Sequence, residues 1–373
     1  MKFIFSLFFL LLIITESFSQ SSNDILNLLI SNKTISQTQA DSIRAEAAVM
    51  QQQTDASRKS FFISATRQMT LTGYSQVRYQ FFNENGKKDG FDIRRARLDL
   101  KGSVTPIFSY RVQADLVDKP KLIDAYAEIK PADFFSITAG QFKIPFSLEN
   151  LTSSNKLDMI DRSQVVEALV ARGKDVIGNQ NGRDIGIQIS GKFLKLNNQS
   201  LIEYRLGVFN GSGINVADTA NENKDIAARL IFTPVKEISF GGGFYSGWDK
   251  AIKPDVAGQS QARNRYGAEF SYVLSRLSLK GEYISGKDGK ANRAGWYIQT
   301  GYFVVPQKLQ ILGKYDLYDP NTSTPDNISI NYVFGANYIF NNWSRLQAFY
   351  TIRQEEGPAI DNDYISIQYQ IGF

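Results

Sequence analysis

From about Met69 to Phe373 the chain alternates apolar and polar residues, the period of a strand with one apolar face and one polar face. In MTLTGYSQVRYQFF (Met69–Phe82), Leu71, Val77, Tyr79 and Phe81 fall on one face, and Thr72, Tyr74, Gln76, Arg78 and Gln80 on the other. FDIRRARLDLKGSV (Phe91–Val104) sets Ala96, Leu98 and Leu100 against Arg95, Arg97, Asp99 and Lys101. The last segment sets Ile365, Ile367, Tyr369, Ile371 and Phe373 against Ser366, Gln368 and Gln370. Sixteen such segments are predicted: 69–82, 91–104, 108–117, 121–130, 134–143, 183–193, 201–210, 224–233, 236–247, 264–274, 276–286, 293–304, 307–319, 328–340, 344–354 and 363–373.

The connections alternate in length. Thr105–Ile107, Pro131–Asp133, Pro234-Val235, Ser275, Val305-Pro306 and Asn341–Trp343 are short. Asn83–Gly90, Gly211–Asn223, Trp248–Arg263, Asn321–Asn327 and Glu355–Asn362 are longer and polar, and Ile144–Gly182 is the longest. An even strand count, short turns at one end and long loops at the other describe an outer-membrane barrel. A sandwich gives no reason for this parity, and charges on the polar face suit a wet lumen. The expected fold is all-β: a sixteen-stranded antiparallel transmembrane β-barrel over 69–373, ending on an aromatic residue.

Met1-Lys2, the apolar run Phe3–Ile14 and the small residues Ser17 and Ser19 read as a signal peptide over 1–19. The run is shorter than a spanning helix requires. Residues 20–68 read as a periplasmic helical and linker segment, with helix over Asp24–Gln53 from the spacing of Ile25, Leu28, Leu29, Ile43, Ala47 and Met50. No other stretch is long enough to cross as a helix, so a membrane-bound chain crosses with strands. The expected place is the outer membrane of a Gram-negative bacterium, against its lipid and lipopolysaccharide.

The sequence contains neither cysteine nor histidine. Disulfides, thiolate zinc sites, cysteine nucleophiles and histidine-based triads are therefore excluded. Acid pairs such as Asp115 and Asp124 are expected in water, where nothing fits them for general-acid work. The expectation is a non-enzyme without cofactor or metal. A net charge of +5 is too small to argue for nucleic acid.

FDIRRARLDLKGSV, then FSYRVQADLV, IDAYAEIKP and ITAGQFKIPFSLENL, in this order and spacing, resemble the phosphate-selective porin family of the porin O and P type. The resemblance implies a sixteen-stranded barrel, usually a homotrimer, with an inward loop constricting a pore lined by basic side chains. It implies passive diffusion of anions. Ile144–Gly182 is then the constriction loop, carrying Arg162, Arg172 and Lys174 among Glu149, Asp158, Asp161, Glu167 and Asp175. Phe146, Leu148 and Leu151 would anchor it to the wall.

Alternation points about twelve basic and ten acidic residues inward, close to balance. A first hairpin turning near Gly86 would place Arg78 opposite Arg95 and Gln76 opposite Arg97, a cluster without an obvious acid. Arg78, Arg95, Arg97, Lys101 and Arg111 are the candidate anion-binding residues of the pore wall, since guanidinium forks suit phosphate oxygens. Arg94 is expected to point outward at the rim, toward lipid phosphates. The function expected is a water-filled channel for small hydrophilic solutes, with a preference for anions such as phosphate. The alternatives are a general or oligosaccharide-type porin, and an adhesin or structural barrel.

Overall fold

The computed structural model describes residues 27, 29–32, 34, 36, 39, 62–64, 67–196, 199–216, 223–252, 260–357 and 360–373. The chain divides into two units, 1–61 and 62–373. In the first, Asn27, Leu29–Ser31 and Gln39 are helical, whereas Asn32, Thr34 and Ser36, inside the expected 24–53 helix, are not. Its other residues and the signal peptide lie outside the described residues.

The second unit is one antiparallel sheet. A short strand β1 (Phe62–Ser64) precedes β2 (Arg67–Phe82), β3 (Gly90–Thr105), β4 (Phe108–Asp115), β5 (Lys121–Ala132) and β6 (Phe135–Lys143). Then come β7 (Arg183–Leu196), β8 (Gln199–Phe209), β9 (Asp225–Val235), β10 (Ile238–Asp249), β11 (Gln261–Leu274) and β12 (Leu277–Asp288). Last are β13 (Ala291–Val305), β14 (Leu309–Asp319), β15 (Ser329–Asn341), β16 (Ser344–Glu355) and β17 (Tyr364–Gly372). Each strand from β2 onward pairs with the next, and β17 pairs with β2 through Gln368↔Arg78 and Gly372↔Tyr74. The Phe373 backbone adds two more bonds, N–H to Gly73 O (3.0 Å) and O from Gly73 N–H (3.1 Å). The sixteen long strands thus close a barrel with no free edge. Each corresponds to one of the sixteen alternating segments.

The apolar face is the outer one. Val77, Leu98, Val112, Ile187, Leu206, Ile298 and Ile365 are exposed, while Gln76, Asp99, Gln113, Asn337, Gln347 and Gln368 point inward and are buried. Aromatic clusters flank the aliphatic band: Tyr79, Phe81 and Phe91 near the long-loop end, Tyr338, Phe340 and Tyr369 near the short-turn end. Such girdles mark the two interfaces of a membrane barrel. One connection breaks the parity of lengths: β12 and β13 join at the long-loop end through Gly289-Lys290 alone, with Gly289 at φ +59.

The first hairpin corrects the expected register. A bulge lies between Gln76 and Val77: Gln76 pairs with Arg95, but Val77 pairs with Ile93. Arg94 is the extra residue, and a bulge re-aims its side chain. Arg94 therefore turns inward to Gln76 and Asp161 rather than outward to lipid. Arg78 sits opposite Asp92, and Tyr74 opposite Arg97.

Candidate functional site: the lumen constriction

Between β6 and β7 the chain enters the barrel. Residues 144–182 form two short helices, α1 (Leu148–Leu151) and α2 (Gln164–Leu169), with a 3-10 turn at Ser154–Lys156 between them. The ends are drawn together by Ile144 N–H to Gly182 O at 3.0 Å. Asn150, with no exposed surface, fills the neck. Its amide donates to Ile144 O, Phe146 O and Gly182 O, and its Oδ1 accepts from Arg172 Nε (3.1 Å) and Nη2 (2.7 Å).

The apolar face of the loop lies on one side of the barrel. Phe146, Val165, Val166 and Leu169 pack with Tyr245, Ile284, Tyr297 and Tyr318 of β10 and β12–β14. Met159 and Ile160 pack with Leu312, Val333 and Phe349 of β14–β16. The seat is cut by glycines. A Cβ on Gly243 or Gly267 would stand 3.2 or 3.1 Å from the Phe146 ring, and one on Gly295 would stand 2.9 Å from Val165 Cβ. Wall amides hold the middle of the loop: Asn337 and Gln347 donate to Asp158 O (2.7 and 3.1 Å), Gln370 to Asn155 O and Gln76 to Ser154 O.

The remaining lumen lies beside basic side chains. On the long-loop side of the constriction, a cavity of about 440 Å³ is lined by Arg78, Lys87, Arg94, Arg95, Arg162, Lys174 and Arg353, against Asp161 and Glu167. On the short-turn side, one of about 390 Å³ is lined by Arg97, Lys101, Arg111, Lys156 and Arg183, against Asp99. A third, of about 320 Å³ along β4–β8, shares Arg111 and adds Lys143 and Arg205, against Asp124 and Glu128.

The acids here are shared. Asp161 serves Arg78 (3.5 Å) and Arg94 (3.3 Å). Asp99 serves Arg111 (2.8 Å) and Lys101 (3.2 Å), and Asp124 serves Arg183 (2.7 Å) and Arg111 (3.3 Å). Asp115 holds Arg97 at 2.9 Å and stands 4.0 Å from Arg95. Counting each residue once, and Asp92 with Arg78, these seven cations meet five acids, which leaves the wall net positive. The loop itself is near charge balance, but two buried cations, one on it and one at the end of β6, are met by carbonyls. Arg162 donates to Glu149 O and Thr152 O, and Lys143 to Leu151 O and Thr152 O. Burial pulls the Arg162 guanidinium down to about 10, against the attraction of Glu149 and Glu167, so it stays charged at neutral pH.

The expected acid-free cluster of Arg78, Arg95 and Arg97 is thereby corrected. Arg78 holds Asp92 at 2.6 Å, because the bulge shifts the register of β2 against β3, and Arg97 holds Asp115, its direct partner across β3 and β4. Only Arg95 is weakly held: its Nη1 bonds its neighbour's carbonyl, Arg94 O, and its Nε has no partner. Arg78, Arg95, Arg162 and Lys174 share one cavity, and Arg97, Lys101 and Arg111 share another. Arg172 faces neither; it is the strut behind Asn150. Alternation in sequence missed Arg94, Lys143, Lys156 and Arg183. It also missed the glycine seat, although Gly241-Gly242-Gly243 inside a strand signals close approach of another chain segment.

A closed barrel with an apolar outside, a polar inside and a loop narrowing its lumen is an outer-membrane porin. Residues 68–246 match the family model for phosphate-selective porin O and P, so the resemblance in the opening strands is shown over that stretch. No curated protein sequence matches the chain. Among solved structures, the anion-selective porin from Comamonas acidovorans aligns at TM-score 0.61 and 13% identity, covering 82% of this chain and 100% of its own. The outer membrane channel DcaP of Acinetobacter baumannii aligns at TM-score 0.60 and 13% identity, covering 84% and 99%. OmpT of Vibrio cholerae aligns at TM-score 0.62 and 10% identity, covering 84% and 100%. At these identities the likeness is one of fold. The chain is a porin of the Gram-negative outer membrane.

Proposed function

We propose that this porin passes small hydrophilic solutes by diffusion and favours anions, which travel along the wall of β2–β4 and β7. The observation that carries the reading is the sharing of acids: both cavities flanking the constriction hold a large excess of basic over acidic side chains. An anion entering there is attracted by charges that a loop and a low-dielectric wall screen less than bulk water does. Arg78, Arg95, Arg97, Lys101 and Arg111 are the contact residues, with Arg162 and Lys174 on the loop. Phosphate fits this chemistry through guanidinium forks. The chain conducts rather than catalyses: its buried carboxylates are taken up by arginines, tyrosine hydroxyls or backbone N–H groups, and it has no histidine or cysteine to act as base or nucleophile. A homotrimer embedded in lipid and lipopolysaccharide suits the barrel, and a trimer form is recorded for Vibrio cholerae OmpT.

Planar-bilayer recordings under a potassium chloride gradient test the reading. A reversal potential on the chloride side, and block of chloride current by added phosphate, are the expected results. A reversal potential at or beyond zero toward potassium would favour the general-porin reading.

A further inference from the structure

The loop is fastened to the wall it covers by a relay of carboxylates. Glu282 on β12 accepts the N–H groups of Leu148 (Oε2, 2.9 Å) and Glu149 (Oε1, 2.7 Å), at the start of α1. Glu149 in turn accepts Ser163 N–H (2.8 Å) and Oγ–H (2.7 Å), at the start of α2. Asp316 on β14 accepts the next N–H, of Gln164, at 2.9 and 3.1 Å. Wall, loop and wall are thus joined through three acids, each at most 6% exposed. None of the three forms an ion pair among the described residues.

Their surroundings explain why they bond the loop instead. Glu282 faces Glu269 across β11, but Glu269 is taken by Arg229 of β9. On the other side it faces Tyr297 of β13, whose hydroxyl donates to it at 2.7 Å. Lys280, two residues earlier on the same face, is drawn away to Asp158 of the loop (2.6 Å). Asp316 faces Tyr297 and, across β15, Asn331. Lys314 beside it turns to Asp161 O (3.2 Å), and Lys174 acts on it from the loop. Arg162 donates to the carbonyl of Glu149, not to its carboxylate.

We propose that Glu282, Glu149 and Asp316 position the constriction loop and make its position depend on pH. Protonation replaces charge-assisted bonds to backbone N–H with neutral ones about half as strong. The loop then loosens from its wall and the lumen widens. This goes beyond anion preference and needs only a conducting lumen.

Single-channel conductance of the full chain, recorded between about pH 8 and about pH 4, tests it. The wild type should conduct more at the acid end, because weaker bonds then hold the loop. Glu282→Gln with Asp316→Asn should start high at the alkaline end and stay flat. Deleting residues 148–170 leaves Glu282 and Asp316 on the wall with no loop to hold, so that channel should conduct more than the wild type at both ends and show no acid-induced rise. A flat wild type, an unchanged profile in the double variant, or an acid-induced rise in the deleted channel as large as that of the wild type would each overturn the proposal. Absence of conductance at every pH would overturn the channel reading with it.

Discussion

Strands β2–β4 and strands β10–β14 stand apart on the ring of the same barrel, and both carry acids and bases on their inner faces. On β10–β14 the acids Glu282 and Asp316 accept loop N–H groups, and Tyr245, Ile284 and Tyr297 bury the loop's apolar face. On β2–β4 the acids Asp99 and Asp115 lie between basic side chains and leave the wall wet and positive. A near-equal count of inward charges hides this division. What decides the character of each wall is the partner each acid has: a peptide N–H on one, a shared guanidinium on the other.

The largest effect should come from filling the glycine seat. Gly295→Phe drives a ring into the space of Val165, an overpacking worth about 1–3 kcal/mol. The loop should be expelled and single-channel conductance should rise severalfold, as it should on deleting residues 148–170. Unchanged conductance in both would place the constriction elsewhere. Next is Arg97→Ala, which leaves Asp115, 4% exposed, with only the distant Arg95. Breaking one side of a buried pair costs about 3–5 kcal/mol, so the unfolding temperature should fall clearly. Lys101→Ala removes a half-exposed partner of Asp99 and should cost under about 1 kcal/mol.

The strand array was legible because the membrane imposes it: the period of two and the parity of loop lengths follow from lipid outside and water inside. The segments 121–130 and 134–143, whose alternation is weakest, still form β5 and β6. Pairing details were not legible. A one-residue bulge at Gln76 moved Arg94 from the lipid face to the lumen and gave Arg78 an acid in Asp92. No local signal in RRAR says which arginine is the extra one. The loop's length was readable, but its acid partners were not, because Glu282 and Asp316 are more than a hundred residues away in sequence.

A smaller effect is expected at the far end of the loop. Asp175 is buried between Arg263 (2.9 Å) and Arg265 (3.9 Å). Burial opposes its charge, but the two guanidiniums hold its carboxyl below the ordinary carboxylate range. A depressed folded value means that this stabilisation is present above about pH 4 and is lost as pH falls through the folded value. Asp175→Asn should therefore lower the unfolding temperature at pH 7 and lose that difference in strong acid. The smallest effect is expected at a short turn. Lys195 and Asp133 pair at 2.6 Å in the open, and Lys195→Ala should change stability by less than about 1 kcal/mol and selectivity not at all.

The most direct measurement is the reversal potential of the wild type, Arg95→Ala and Lys236→Ala under the same salt gradient. Arg95 lies at the constriction with one acid 4.0 Å away and its Nε unpartnered, so removing it should disturb the current more than the fold. Lys236 is almost fully exposed in a short turn. The wild type and Lys236→Ala should both reverse on the chloride side, and Arg95→Ala should shift toward potassium. A wild type without anion preference, or an Arg95→Ala channel that reverses where the wild type does, would contradict the basic wall as the path of the solute.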